Sequence, residues 1–155
     1  MLGWTNAWNT IIRKVIWPNH NLKTLMKLPA KTGILQFTQR YFIRAGFTNE
    51  LLTDEVCRIV YGDTGSYETD TPNVKKHLMT FDIYVKKEEM FNIGDDRLVS
   101  RMDLIVQELD NMLRQERYLA GTGYRFWLAD GGIDLGTRTI GYVRRSVSYY
   151  YMKVM

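Results

Sequence analysis

Few residues in this chain are of a type that does chemistry, and their spacing assembles none of the familiar sites. Cys57 is the only cysteine, and His20 and His77 are the only histidines. A zinc centre takes three or four N, S or O ligands at suitable spacing, and neither histidine lies in an HExxH or Cys/His cluster. A nucleophile–base pair of Cys57 and His77 is conceivable across a hairpin, but no third group orients it. A small buried hydrophobe at the start of a strand is the preferred reading of Cys57. Asp63-Thr64-Gly65 matches the DTG signature of aspartic proteases, without a second copy or the framing hydrophobic strands. Gly121-Thr122-Gly123 and Gly131-Gly132 are too short to cradle phosphate, and GxGxxG and Walker patterns are absent. Glu88, Glu89, Asp95 and Asp96 read as a solvated helix start rather than a metal site. The expectation is no enzyme, no cofactor and no metal, and a function carried by surfaces.

The 155 residues suit one domain, 1–155, with a helical part over 1–48 and a sheet-and-helix core over 49–155. The formal charge of +4 comes from 21 basic and 17 acidic residues. The basic residues are scattered, with pairs at Arg13-Lys14, Lys75-Lys76, Lys86-Lys87 and Arg144-Arg145. That argues against the contiguous basic stripe of a dedicated nucleic-acid binder. One cysteine excludes an intrachain disulfide and suits assembly in a reducing cytosol. No signal-peptide pattern and no run of roughly 20 apolar residues is present. With 4 Trp and 10 Tyr the chain is rich in residues that favour protein–protein interfaces.

The strongest pattern lies over residues 79–116. Met79, Phe81, Ile83 and Val85 alternate with Thr80, Asp82, Tyr84 and Lys86, which predicts a strand with one dry face. Asp95-Asp96 offers an N-cap and favourable charge for a helix from Leu98. There Val99, Met102, Ile105, Val106, Leu109, Met112 and Leu113 form one stripe, and Leu104 is the single apolar residue on the polar side. A first amphipathic helix is expected over 5–16, with Trp4, Trp8, Ile11, Ile12 and Val15 on one face and Pro18 ending it. Docking on its own domain or a neighbour is preferred to a membrane-surface role, because two cations are too few for anchoring. Leu22, Leu25, Met26 and Leu28 suit a short helix before Pro29. Residues 32–45 read as another helix stopped by Gly46.

A strand is expected over 57–61, then an exposed polar connection over 62–73, long for a hairpin. Residues 124–128 form a strand, Asp130-Gly131-Gly132 signals a turn, and 133–139 is a polar connection. The last strand spans 140–154 and is apolar on both faces, as expected of a central or interface strand. Arg144-Arg145 interrupts it and is read as a bulge or bend. The fold class is α+β: a mostly antiparallel sheet of about four strands against one main amphipathic helix, with additional N-terminal helices.

The order of elements from Cys57 onward resembles the tail terminator proteins of long-tailed bacteriophages, including the lambda-type terminator. The resemblance is carried by Arg58-Ile59-Val60-Tyr61-Gly62 before a Tyr- and acid-containing loop, by 77–85, by the helix over 98–113, and by Gly141-Tyr142-Val143 through Ser148-Tyr149-Tyr150-Tyr151-Met152. It implies an α+β subunit in a ring, usually a hexamer, that caps the finished tail tube and joins it to the head. Implied partners are further copies of the chain, the tail tube protein, and the head–tail connector or stopper. DNA would pass through the lumen without being read, and no membrane is involved. The implied location is the virion tail or neck, assembled in the host cytoplasm. Loops reaching the neighbouring rings are expected at Asp63, Tyr67, Glu68, Asp70, Asp130, Asp134 and Arg138. Contacts between subunits are expected at Leu104, Arg144, Arg145, Tyr149, Tyr150 and Tyr151. The alternatives are another neck protein, such as a head-completion or stopper adaptor, and a small basic module for nucleic acid.

Overall fold

The computed structural model describes residues 8–46, 54–69, 75–93, 99–114, 124–136 and 141–153. The first helix, α1, is helical over 8–11 and runs on as a π-helical turn, Ile12–Ile16. Of the predicted apolar face, Trp8, Ile11 and Ile12 are buried and Val15 is half-buried, Ile16 is buried in addition, and Trp4 lies outside the described residues. Trp8 packs on Tyr61, Phe81 and Phe126 with ring centroids 5.0, 6.1 and 6.3 Å away. That burial takes up the face a membrane-surface helix would need. The second helix, α2 (His20–Leu25), is started by Asn19, whose side-chain oxygen accepts from the Leu22 amide.

The helix expected over 32–45 ends early. Helix α3 (Ile34–Gln36) continues as a π-helix over Phe37–Tyr41, and Phe42–Arg44 is a strand, β1. Phe42 and Ile43 are adjacent and both buried. A helix would have to sweep two neighbouring side chains apart by about 100°. Pairing Phe42 with Ile59 and Arg44 with Tyr61 in parallel instead gives the segment ladder hydrogen bonds. Gly46, at φ +83°, thus follows a strand.

Strand β2 (Cys57–Glu68) is the second departure, because it consumes much of the expected connection at 62–73. Its antiparallel ladder with β3 (Lys75–Lys86) runs from Cys57↔Val85 to Glu68↔Lys75, with a bulge between Asp63 and Gly65. The Thr64 hydroxyl supports the bulge, donating to the Leu78 carbonyl at 3.2 Å and sharing a bond with the Thr80 hydroxyl at 3.0 Å. In β3 the predicted alternation holds: Met79, Phe81, Ile83 and Val85 are buried and the residues between them are half-buried.

After a 3₁₀ turn (Lys87–Glu89) comes the main helix, α4 (Arg101–Arg114). It starts three residues later than expected, and the proposed caps Asp95 and Asp96 lie outside the described residues. Ser100 does cap the helix, its Oγ accepting from the Asp103 amide at 3.0 Å. Met102, Ile105, Leu109, Met112 and Leu113 are buried as the periodicity required. Strands β4 (Tyr124–Asp130), β5 (Leu135–Gly136) and β6 (Tyr142–Lys153) complete the chain. The β3–β6 register is unbroken from His77↔Tyr151 to Lys86↔Tyr142, so Arg144-Arg145 forms no bulge. The irregularity lies instead between Leu128 and Asp130, in β4.

The fold is mixed α+β, with the six strands ordered β1-β2-β3-β6-β4 and β5 extending β6. Every pairing is antiparallel except β1–β2. One hydrophobic cluster joins buried residues of α1, α2, α4 and the π-helix after α3 to the odd-numbered face of β3. The opposite face carries Leu78, Thr80, Asp82 and Tyr84, all half-buried. Helices thus cover one face of a sheet whose two edges are β1–β2 and β4–β5.

Candidate interaction surface

The Tyr149-Tyr150-Tyr151 run lies on β6 between β3 and β4, so alternate rings go to opposite faces. Tyr149 is fully buried, and its hydroxyl donates to Asp110 Oδ1 at 2.7 Å. The same carboxylate receives Arg114 Nη2 at 2.7 Å, so one tyrosine ties β6 to α4. Tyr151 is also buried; it stacks on Phe126 (5.3 Å) and His77 (5.1 Å), and donates to Asp63 Oδ2 at 2.6 Å. Burial, and then the neighbouring carboxylate, raise both phenols above the usual tyrosine range, so both stay protonated donors. Tyr149 and Tyr151 were expected at a subunit boundary, but their rings are spent inside the subunit's own core. Asp63 likewise lies within β2, opposite Met79, and its carboxylate accepts from Tyr151, so it is not the tip of a reaching loop.

Tyr150 points the other way and is half-buried. Its ring meets Trp127 at 5.8 Å and Tyr67 edge-on at 5.8 Å, and the Lys76 ammonium sits 4.1 Å over its centroid. Tyr67 is 43% exposed. These four residues come from β2, β3, β4 and β6 and form an aromatic and cationic patch on the face that no described helix covers. The expected sites Tyr67 and Tyr150 are therefore brought together. Trp127 and Lys76 were missed, although each has the same strand parity as its neighbour in the ladder, which is the signal that would have found them.

Arg145 and Asp134, predicted for different contacts, meet each other. Arg145 Nε donates to Asp134 Oδ1 at 2.9 Å, and Nη2 donates to Asp103 Oδ1 at 2.8 Å. The pair fastens the connection before β5 to α4. Burial opposes ionisation of Asp103, but hydrogen bonds from Ser100 and Arg145 outweigh it and hold the carboxyl below its usual range. Asp130 Oδ1 accepts from the Gly132 amide at 2.8 Å, the predicted turn. Gly132 has φ +66°, and a Cβ there would collide with the Ser146 carbonyl oxygen. Arg144 lies on the opposite face from Arg145, across from Tyr84. Leu104 is half-buried and lines a cavity between α2 and α4 with Leu25 and Glu108. It is thus turned towards α2. The Glu68 side chain, Asp70 and Arg138 lie outside the described residues.

The catalytic pairing considered for Cys57 does not form. Cys57 stands opposite Val85 and His77 opposite Ser66, about eight residues or ~26 Å apart along β3. Burial also pushes the Cys57 thiol up to about 12, which keeps it protonated at neutral pH. Among the described residues no group of three or more His, Cys, Asp and Glu is placed to hold a metal. No described helix is long and apolar enough to cross a membrane.

The family model YomW matches residues 10–150. The chain belongs to the YomW family. That name is phage-derived, and this YomW-family chain is a phage-associated protein. The match takes in the helical N-terminal part as well as the sheet and α4, so the family extends beyond the segments that resemble tail terminators. No curated protein matches the chain.

Proposed function

We propose that this chain is a structural virion protein, a tail terminator that forms a ring, caps the tail tube and joins the tail to the head of a long-tailed phage. The observation that carries the reading is the end of the sheet where β2 and β3 run past β1. There Tyr67, Lys76, Trp127 and Tyr150 are gathered on a face without a described helix over it. Aromatic residues with a cation among them are the composition of a contact surface, not of a reacting centre. Phage association and the α+β scaffold fit the same role. The ring, a hexamer as in the terminators the chain resembles, would contain further copies of the chain, with tube protein on one side and connector or stopper protein on the other.

Two measurements test it. Light scattering of the purified chain should give a closed multiple of the 18.2 kDa subunit, alone or with tail tubes. Tyr67→Ala with Trp127→Ala should leave the fold intact and lower docking to tubes or connector at least tenfold. A strict monomer in every mixture, or unchanged docking by the double variant, counts against the reading. A neck adaptor role differs only in which partner is bound, so tube and connector are assayed separately. Lys76 and Arg125 beside the exposed rings favour a second reading, a nucleic-acid module, which would show steep salt-dependent DNA binding.

A further inference from the structure

The aromatic and cationic patch is ordered in rows across the sheet. Tyr67 is opposite Lys76, and Arg125 is opposite Met152. Extending the β3–β6 register by one residue beyond His77↔Tyr151 sets Lys76 beside Met152. Tyr67, Lys76, Met152 and Arg125 thus form one row over four strands, at the end of the face that no described helix covers. The next row inward is Leu78, Tyr150 and Trp127. Lys76 and Arg125 stand two strand spacings apart, about 10 Å, with Met152 between them.

Neither cation has an acidic partner among the described residues. Arg125 is exposed, and the Lys76 ammonium rests over the Tyr150 ring. The described carboxylates on the same face, Asp82 and Asp130, lie about 16–20 Å further along their strands. Asp82 accepts from Ser146, and Asp130 from the Gly132 amide. Positive charge beside rings and a thioether suits a partner that brings negative charge and apolar surface together.

Nucleobases are the poorer match. The Lys76 ammonium occupies a face of the Tyr150 ring, Tyr67 meets that ring at 89°, and Trp127 is tilted to it by 37°. Successive bases need open ring faces to stack on and a cationic groove along the backbone, and two cations do not make that groove. An extended polypeptide fits better. Its positions i, i+2 and i+4 share one side and span about 13 Å. Two carboxylates four residues apart can meet Lys76 and Arg125, with the side chain midway lying on Met152 and Tyr150.

We propose that this end of the open face binds an extended acidic segment of a partner protein, with carboxylates four residues apart pairing with Lys76 and Arg125 around a central apolar side chain. This inference rests on the reading of the patch as a docking surface and gives the chemistry of what docks there.

The test uses the full-length chain and a capped peptide with two aspartates four residues apart, a leucine midway, and glycine and serine elsewhere. Followed by NMR, the peptide should shift the amides of Lys76 and Arg125 and the Trp127 indole. A twin with asparagines should bind at least tenfold more weakly, and added salt should weaken the aspartate peptide alone. Lys76→Glu with Arg125→Glu should lose the aspartate peptide and gain a twin carrying lysines, an exchange that a misfolded variant would not show. An unshifted patch, equal binding of the asparagine twin, or no gain of the lysine twin overturns the proposal. Tighter binding of a thymidine oligonucleotide at the same residues also overturns it and assigns the patch to single-stranded nucleic acid. Docking to tubes and connector is assayed in parallel. Peptide binding as expected, with docking indifferent to Tyr67→Ala and Trp127→Ala together, keeps the acidic-segment site and removes the terminator reading of the patch. Docking lost in that double variant, with the patch indifferent to the peptide, keeps the docking surface and overturns the acidic segment.

Discussion

Two tyrosines that look alike in sequence are tied down differently. A net hydrogen bond to a charged acceptor contributes about 1.5–3 kcal/mol. Asp110 lies half-buried under Tyr149, whereas Asp63 is exposed and water can replace Tyr151. Tyr149→Phe should therefore cost about 2 kcal/mol and Tyr151→Phe about 1 kcal/mol, read from urea midpoints at unchanged slope. Equal costs would mean that the helix tie through Asp110 adds nothing. Gly132 is the other singular residue. Gly132→Ala should cost more than about 2 kcal/mol, from the left-handed backbone and the collision with Ser146, again measured by urea unfolding.

Among the elements, α4 is held by more than its apolar stripe. Arg101 at its start is buried and donates to the carbonyls of Glu89 (2.8 Å) and Leu25 (2.6 Å) and to Asn92 Oδ1 (3.0 Å). One guanidinium thus joins α2, the turn after β3 and α4. Arg101→Ala would strand buried acceptors and should destabilise by about 3 kcal/mol. Hydrogen exchange should quicken in α2 before the sheet opens; uniform protection across both would sink the linking role. Periodicity could not reveal this, because an arginine at a helix start reads as solvated. The strand periods of β3 and the stripe of α4 were legible, since each needs only one dry face. The end of α3 was not: Phe42 and Ile43 obey neither period until the free edge of β2 is there to pair with them.

For the molecule as a whole, two carboxylates make stability sensitive to acid. The Asn92 hydrogen bond first, then Lys27 and the nearby Arg101 charge, outweigh a burial cost and hold Glu89 below the usual carboxylate range. Asp103 is lowered by Ser100 and Arg145 against burial. A folded pKa below the unfolded one means that protons favour the unfolded chain. The stability they contribute is present above the unfolded values, roughly pH 4, and is lost as pH falls through the lower folded ones. Glu89→Gln with Asp103→Asn should lower the melting temperature at pH 7 and flatten its decline below about pH 4. An acid limb unchanged by the double variant would show that other carboxylates carry it.

What the amino-acid order settled alone is local: which faces of β3 and α4 are dry, and that Asp130-Gly131-Gly132 turns. Composition also made surfaces a better guess than a reacting centre, and the order of elements resembled a phage family before the sheet was known. Tertiary structure decided what each exposed-looking group touches. Tyr149 and Tyr151 went inward and Tyr150 outward because β6 lies between β3 and β4, and strand parity has no direction until a helix covers one side. The acidic stretch after Tyr61 became strand because β3 offered it a ladder. The cluster of Tyr67, Lys76, Trp127 and Tyr150 exists only once four strands lie side by side, a property of the strand order and of no single segment.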